Sequence, residues 1–543
     1  MINESAKRKA NENPWYLLAT YYGEQSGDDI DYGLHNKNRI IWNRWMSGFL
    51  AKERRDAYFA DGFLSQEEIN FLGKEDRISL WSDGRSPFIS APNPNEKIDL
   101  RNTLFLHHVH FEGFLFLSEI DIGNSVFEKS TSFANSEFLS DAVFVNSVFA
   151  RFADFSKIKF YGSVGFQRSK FGDVSQFSDT NFYKSVNMKS VTFHDIIYTV
   201  RTKFEKNVYF RHSKFLSDSC FSHISVENEI DFEDCEFIGE LEMIESNVKG
   251  SFSLNNVVAR DDVTLVQSVF SGMLDLSNSI FFSKIDLSLC MFLSEINMIN
   301  SRVYGRASFR GGSSSQLGER HKQFSGVIDI SESIFFDRAD FSNREFLDST
   351  SFYNAKFVNH VPEFADTKLH EGTVWHGVEW PKTPRHSMQA LEMADSYSHL
   401  RRRSNAIQDH EAEIDFFGRE LRAKRAWKGG VSGLLITMYE LSCSFGQSII
   451  RPILWLLFLF GAMPPIYHLV IQYTWDVSVD VASMYMFSFK SLFGLLGFRR
   501  DISGQWFEEL SLLIQVLSYF QTMLGGVFVF LLGLSLRNRF RIK

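Results

Sequence analysis

Between residues 133 and 171, phenylalanine stands at Phe133, Phe138, Phe144, Phe149, Phe155, Phe160, Phe166 and Phe171, in steps that alternate between five and six. Neither a helix, with its period of 3.6, nor a strand, with its period of 2, can put these side chains on one face. A chain that turns a corner after every five or six residues can, because each face then sends one large side chain toward a common axis. Steps of eleven from Phe133 reach Phe309 through apolar positions, with Thr199 as the one polar exception. A second series, offset by five, runs from Phe138 to Val303 and stays apolar throughout. The position two before each of these is mostly small, as at Ser136, Ala142, Ser147, Ala153 and Ser169. One large and one small inward residue per face predict a solenoid, whose coils bury their apolar sides only by stacking on neighbours.

These residues resemble those of pentapeptide-repeat proteins, in an eleven-residue variant of the repeat. The resemblance implies a mainly β fold, a right-handed four-sided β-helix, with ~22 residues per coil in place of ~20. It covers residues 105–360 and implies some ten or eleven coils in a rod on the order of 50 Å long. The phase is interrupted by a polar Gly/Ser insertion at 310–326, which reads as a tolerated loop or a contact site, and resumes at Ile330, Phe335 and Phe341. Residues 1–104, rich in Trp and turn residues, are expected to cap the open first coil, since an exposed sheet edge invites aggregation. After Val361 and Pro362 the repeat is expected to stop.

Residues 361–450 read as an α-helical linker of one or two amphipathic helices with charges of alternating sign, followed by an interfacial helix carrying Leu434, Leu435, Met438 and Leu441. The charged face suits solvent or subunit packing, with a lipid-headgroup contact as the alternative. Residues 451–543 hold the long apolar runs. Spans at 453–471 and 510–536 are each long enough to cross a bilayer. Arg451 precedes the first, and Arg537, Arg539, Arg541 and Lys543 follow the second. The positive-inside rule then makes a transmembrane hairpin with both chain ends in the cytoplasm. With no apolar signal-peptide core at the N-terminus, a multi-pass protein of the cell inner membrane is expected.

Between the spans, the apolar segment 481–498 is short for a crossing and carries Lys490, which would cost about 2.5–3.5 kcal/mol at a helix centre. A re-entrant segment is the alternative. The order of span, short helix, glycine loop and span resembles the pore module of two-transmembrane potassium-channel-like proteins. Tyr485 to Phe489 resemble the pore helix, and Leu495, Leu496, Gly497 and Phe498 resemble the filter, with Asp501 and Ile502 following. The resemblance implies a pore formed by Gly494, Leu495, Leu496, Gly497, Phe498 and Arg499, in a homotetramer. Arg499 stands where a potassium filter has its second glycine, and the filter-base threonine is absent, so a weakly selective or anion-conducting pore fits as well. On the second span Gln515, Ser518, Thr522, Gly525, Gly526 and Gly533 form a polar and small stripe, which lines a pore or packs helices closely.

Composition narrows the alternatives. A net charge of -9 over 543 residues gives no basic footprint, so no nucleic-acid partner is expected. Cys220, Cys235, Cys290 and Cys443 lack metal or disulfide spacing. No catalytic motif sits in a fitting context, and neither an enzyme nor a cofactor is expected. His107, His108 and His110 form a cluster that suits cap packing, with a metal site as the minority alternative and no metal assigned. Two functions remain: an oligomeric membrane ion channel with a cytosolic β-helix sensor or gating scaffold, or a membrane-anchored scaffold that binds a cytosolic protein partner without conducting. Membrane lipids are partners in both.

Overall fold

The computed structural model describes residues 7–84, 91–312, 322–384, 388–475, 480–496, 498 and 511–541. The chain divides into two units, Met1–Pro381 and Lys382–Lys543. The first is a β-solenoid of four parallel sheets with 11, 11, 12 and 13 strands. The strands are two residues long, Thr103–Phe105 being the exception with three, and successive coils pair strand on strand, as Val148↔Lys170 and Ala142↔Val164. That register spans 22 residues, two of the eleven-residue steps.

The alternation of five and six comes from two kinds of corner. Asn124, Asn135, Asn146, Lys157, Arg168 and Asp179 continue a series at intervals of eleven with φ between 56° and 60°. Each lies two residues after a phase-zero large residue, so the five-residue corner closes tightly through one left-handed residue. Such a residue costs about 1–2 kcal/mol when it bears a Cβ, and Asn or Asp tolerate it best. The six-residue corner inserts a residue instead and needs no left-handed turn.

Inside, same-slot rings stack from coil to coil. Phe144 lies over Phe166 at 4.7 Å and 7°, and Phe160 over Phe182 at 5.1 Å and 4°. The small slot is polar without penalty, because its hydroxyl is used twice. Ser169 Oγ accepts the Ser147 amide at 3.1 Å and donates to the Phe144 carbonyl at 2.6 Å, and Ser147 does the same one coil earlier. Thr199, the polar exception, is buried and donates to the Cys220 carbonyl at 3.1 Å. The four cysteines are free thiols.

Two departures from strict period are accommodated differently. At 310–326 the register lengthens to 32, as Ile296↔Ile328 and Ala307↔Ala339, so ten extra residues leave the ladder while all four sheets continue. Residues 313–321 of this insertion lie outside the described residues. In most coils a Ser, Thr or Cys side chain 25 positions on donates to the inward carbonyl, as Ser301 Oγ does to Leu276 at 2.7 Å. For Leu287 that position is Gly312, which has no donor. Arg344, fully buried, extends into the gap, donating to the Leu287 carbonyl at 3.3 Å and to the Cys290 carbonyl at 2.8 Å. Its guanidinium lies 4.6 Å from the Phe324 ring, and burial pulls it down to about 10.

The second departure corrects the expected end of the repeat. Asp340↔Glu363, Glu345↔Lys368, Ser351↔Val374 and Lys356↔Glu379 continue the parallel pairing at a spacing of 23. One residue is inserted near Val361 and Pro362, after which Phe364, Trp375 and Trp380 stack on Phe341, Phe352 and Phe357. This extra coil closes the rod with larger rings.

The opposite end of the rod is covered by N-terminal residues. Arg8–Lys9 adds a parallel strand to Thr103–Phe105, and helices at Pro14–Ala19 and Tyr32–Ser47 cover the first coil. Asn43 accepts the Leu115 amide at 3.0 Å and donates to the Gly113 carbonyl at 3.0 Å, while Trp42 Nε1 donates to the Leu115 carbonyl at 2.8 Å. The edge groups that would otherwise stay open are thereby paired. His35, on the second of these helices, is buried against His110. Burial, and after it the charge of His110, push the His35 imidazole down to about 4.

In the second unit, helices Met388–Ala406 and His410–Lys428 pack together, with Arg401 bonded to the buried Glu420 at 2.7 Å. The helix Gly430–Cys443 exposes Val431, Leu434, Leu435, Met438 and Leu441. Its Glu440 pairs with Arg422 at 2.7 Å and Arg425 at 2.5 Å. The helix is thus divided into an apolar exposed side and a side that pairs with charged residues of the preceding helix.

Truncating a stacked ring should show how much each coil depends on it. Phe166→Ala is expected to lower the unfolding free energy by about 3–5 kcal/mol. The outward-facing Lys170→Ala should stay within about 0.5 kcal/mol of the wild type in the same denaturant titration.

Candidate functional site

Among the described residues, two helices are long and apolar enough to cross a membrane, Ile450–Tyr473 and Leu512–Phe540. Asn538 Nδ2 donates to the Gly446 carbonyl at 3.3 Å, which brings the end of the second apolar helix beside the start of the first. The pair is therefore an antiparallel hairpin. Arg451 and Arg537, expected from the sequence on one side, lie at this common end.

Between them lies the helix Val481–Leu492, of 12 residues, packed against both. At 1.5 Å per residue it is about 18 Å long, well short of the ~30 Å hydrocarbon thickness. Met484 and Phe487 pack into a buried cluster with Met463, Tyr467, Ile471 and Ile514. Leu492 joins a second cluster with Leu456, Leu459, Phe528 and Leu531.

A polar seam runs along the same contact. Pro464 lies inside the first apolar helix and has no amide hydrogen for the Phe460 carbonyl, its partner four residues back. Ser488 Oγ donates to that carbonyl at 3.3 Å. Gln521 Nε2 donates to Ser488 Oγ at 2.8 Å, and Tyr467 donates to Gln521 Oε1 at 2.7 Å. Ser491 and Ser518 share a hydrogen bond of 3.0 Å, and Thr522 donates to the Ser491 carbonyl at 2.8 Å. Each such bond between helices in a bilayer contributes about 0.6 kcal/mol on average, but an unpaired polar group at that depth would cost several.

The stripe singled out on the second span thus divides. Ser518, Thr522 and Gly525 are buried against the short helix. A Cβ on Gly525 would lie 2.2 Å from the Leu492 carbonyl oxygen, so only glycine permits this approach. Gly526 faces Leu495, whose Cδ1 is 2.1 Å from the same virtual atom. Gln515 is half-buried, and Gly533 is exposed with nothing within 4 Å of a Cβ. Of the filter-like residues, Gly494 is buried at the turn after the short helix, in Gly494–Leu496, a single turn of 3-10 helix. Leu495, Leu496 and Phe498 are 69%, 60% and 46% exposed in the single chain. Gly497 and Arg499 lie outside the described residues.

Ser491, Gln521 and Tyr467 were not among the sequence candidates, and Ser488 was read only as part of a pore-helix-like segment. The signal was present as two serines three apart, flanking Phe489 and Lys490 in a largely apolar stretch, and a glutamine beside Thr522. No family model matches this chain, and neither a curated protein nor a solved structure is similar to it.

The two glycines of the stripe make a paired test. Gly525→Ala should force the short helix away and destabilise the detergent-purified protein by about 1–3 kcal/mol. Gly533→Ala, in open space, should leave the melting midpoint unchanged or slightly raised. Equal effects would contradict the assignment of the close approach to Gly525.

Proposed function

We propose that this chain is the protomer of an oligomeric membrane ion channel, a homotetramer by its resemblance to two-transmembrane channels, with the solenoid as a cytosolic sensor or gating scaffold. One observation carries this reading. The short helix is fastened by a satisfied polar seam between two membrane-length helices, and the chain leaves it through Leu495, Leu496 and Phe498 with apolar side chains uncovered. Irregular backbone at membrane depth is tolerated only where protein buries it or where it lines a water-filled path. Sister subunits around a central axis satisfy both conditions. The pore would then pass Gly494 to Arg499, and the second span's Gln515, Gly526 and Gly533 would face neighbours or the path.

Arg499, followed by Arg500, would repeat around such an axis and disfavour cations, so weak selectivity or anion conduction is the expected behaviour. The basic residues at the shared end of the hairpin support an inner-membrane protein with both chain ends in the cytoplasm.

Purified full-length protein in liposomes is expected to pass ions, with Gly497→Asp altering conductance and Arg499→Ala shifting the permeability ratio toward cations. Liposomes that stay tight over a range of voltage, pH and salt, together with a monomer in detergent, would replace this reading with the membrane-anchored scaffold.

A further inference from the structure

The N-terminal cap meets the first coil through a group of side chains whose arrangement exceeds what packing needs. His35, on the helix Tyr32–Ser47, and His110 and Glu112, on the first coil, present ligand atoms that all lie within 4.8 Å of one another. The two imidazole rings stand 4.4 Å apart at 83°, crossed and not stacked. His35 and Glu112 are each also oriented by a partner behind them. His35 Nδ1 lies 3.2 Å from the His110 carbonyl oxygen, which can only accept, so Nδ1 carries the proton and Nε2 the free lone pair. Glu112 Oε1 accepts from Asn135 Nδ2 at 2.8 Å, while its Oε2 stands 3.3 Å from His110 Nε2. Metal-ligating imidazoles and carboxylates are held by outer partners in this manner.

A second observation points to a ligand. The His110 side chain is 9% exposed, yet its Nε2 makes no hydrogen bond, the Glu112 contact being ionic in distance only. A buried ring nitrogen without a hydrogen bond is unfavourable unless something supplies the interaction. The site is reachable, because a cleft of about 510 Å³ runs alongside His110 and Glu112 and brings Asp28, Asp29 and Asp154 to its walls. Carboxylates along the approach favour entry of a cation.

We infer that His35, His110 and Glu112 bind one divalent transition-metal ion, zinc by preference, which joins the cap helix to the first coil. Two neutral imidazole nitrogens and one carboxylate oxygen are a zinc donor set that leaves a fourth position open to water. The small separations need only side-chain adjustment to reach bond lengths of about 2.0–2.2 Å. Such a site would close the rod's exposed end more firmly and make that closure depend on metal supply. It stands independently of whether the second unit conducts ions.

The test uses the full-length protein in detergent, stripped with a chelator and titrated with Zn²⁺ against a chromophoric competitor. One ion per chain is expected. His35→Gln, His110→Gln and Glu112→Gln should each weaken binding by about 100-fold or more, and Asn135→Ala, outside the ligand set, by about 10-fold. Because a ligand variant could loosen the cap, the wild type is also loaded with Co²⁺, which should give the visible bands of a four-coordinate site with nitrogen ligands. A chain that binds no Zn²⁺ above the chelator background, one whose Co²⁺ spectrum is that of the hydrated ion, or one whose affinity is unchanged in His110→Gln overturns the inference.

Discussion

The structure is governed by the cost of leaving a main-chain amide or carbonyl unpaired away from water. A coil of two-residue strands cannot satisfy its own groups; every amide it turns outward along the rod axis must find a carbonyl in the next coil. The solenoid meets this by strict repetition, and its irregularities are places where repetition fails and a side chain substitutes. Ser and Thr hydroxyls cover many of the inward carbonyls along the rod. Arg344 covers the Leu287, Cys290 and Phe309 carbonyls in the coil that the insertion disturbs. Asn43 and Trp42 cover the first coil's edge.

The same constraint shapes the membrane-capable unit. Pro464 removes a helix hydrogen bond at Phe460, and the serine that repairs it belongs to the short helix. A defect in one helix therefore becomes the attachment point of another. Gln521 and Tyr467 then complete the bonding of that serine, and Gly525 allows the approach. Seen this way, the seam is first a device for holding the short helix at a defined place between two longer ones. The proposal of conduction adds that the residues beyond it are covered by copies of the same chain.

Much of the rod was legible in the sequence because its contacts are periodic. The eleven-residue phase of the phenylalanines and the small residue two before each fixed the register before any coordinates. The last coil was missed because one inserted residue moved the spacing from 22 to 23, and tryptophan replaced phenylalanine at Trp375 and Trp380. Arg344 was invisible for a different reason: its slot is small in other coils, and its role depends on Gly312 in another part of the chain. In the second unit, Gly525 and Gly533 look alike in a helical stripe but differ wholly in surroundings. Periodicity identifies a face and does not say what meets it.

The central claim is that the segment leaving the short helix lies inside an assembly of identical chains. Cryo-electron microscopy of the full-length protein in lipid nanodiscs tests this directly. The account predicts a closed ring of protomers, four by resemblance, with Leu495, Leu496 and Phe498 turned toward a shared axis within the bilayer. Single protomers with those side chains against lipid or solvent would contradict it.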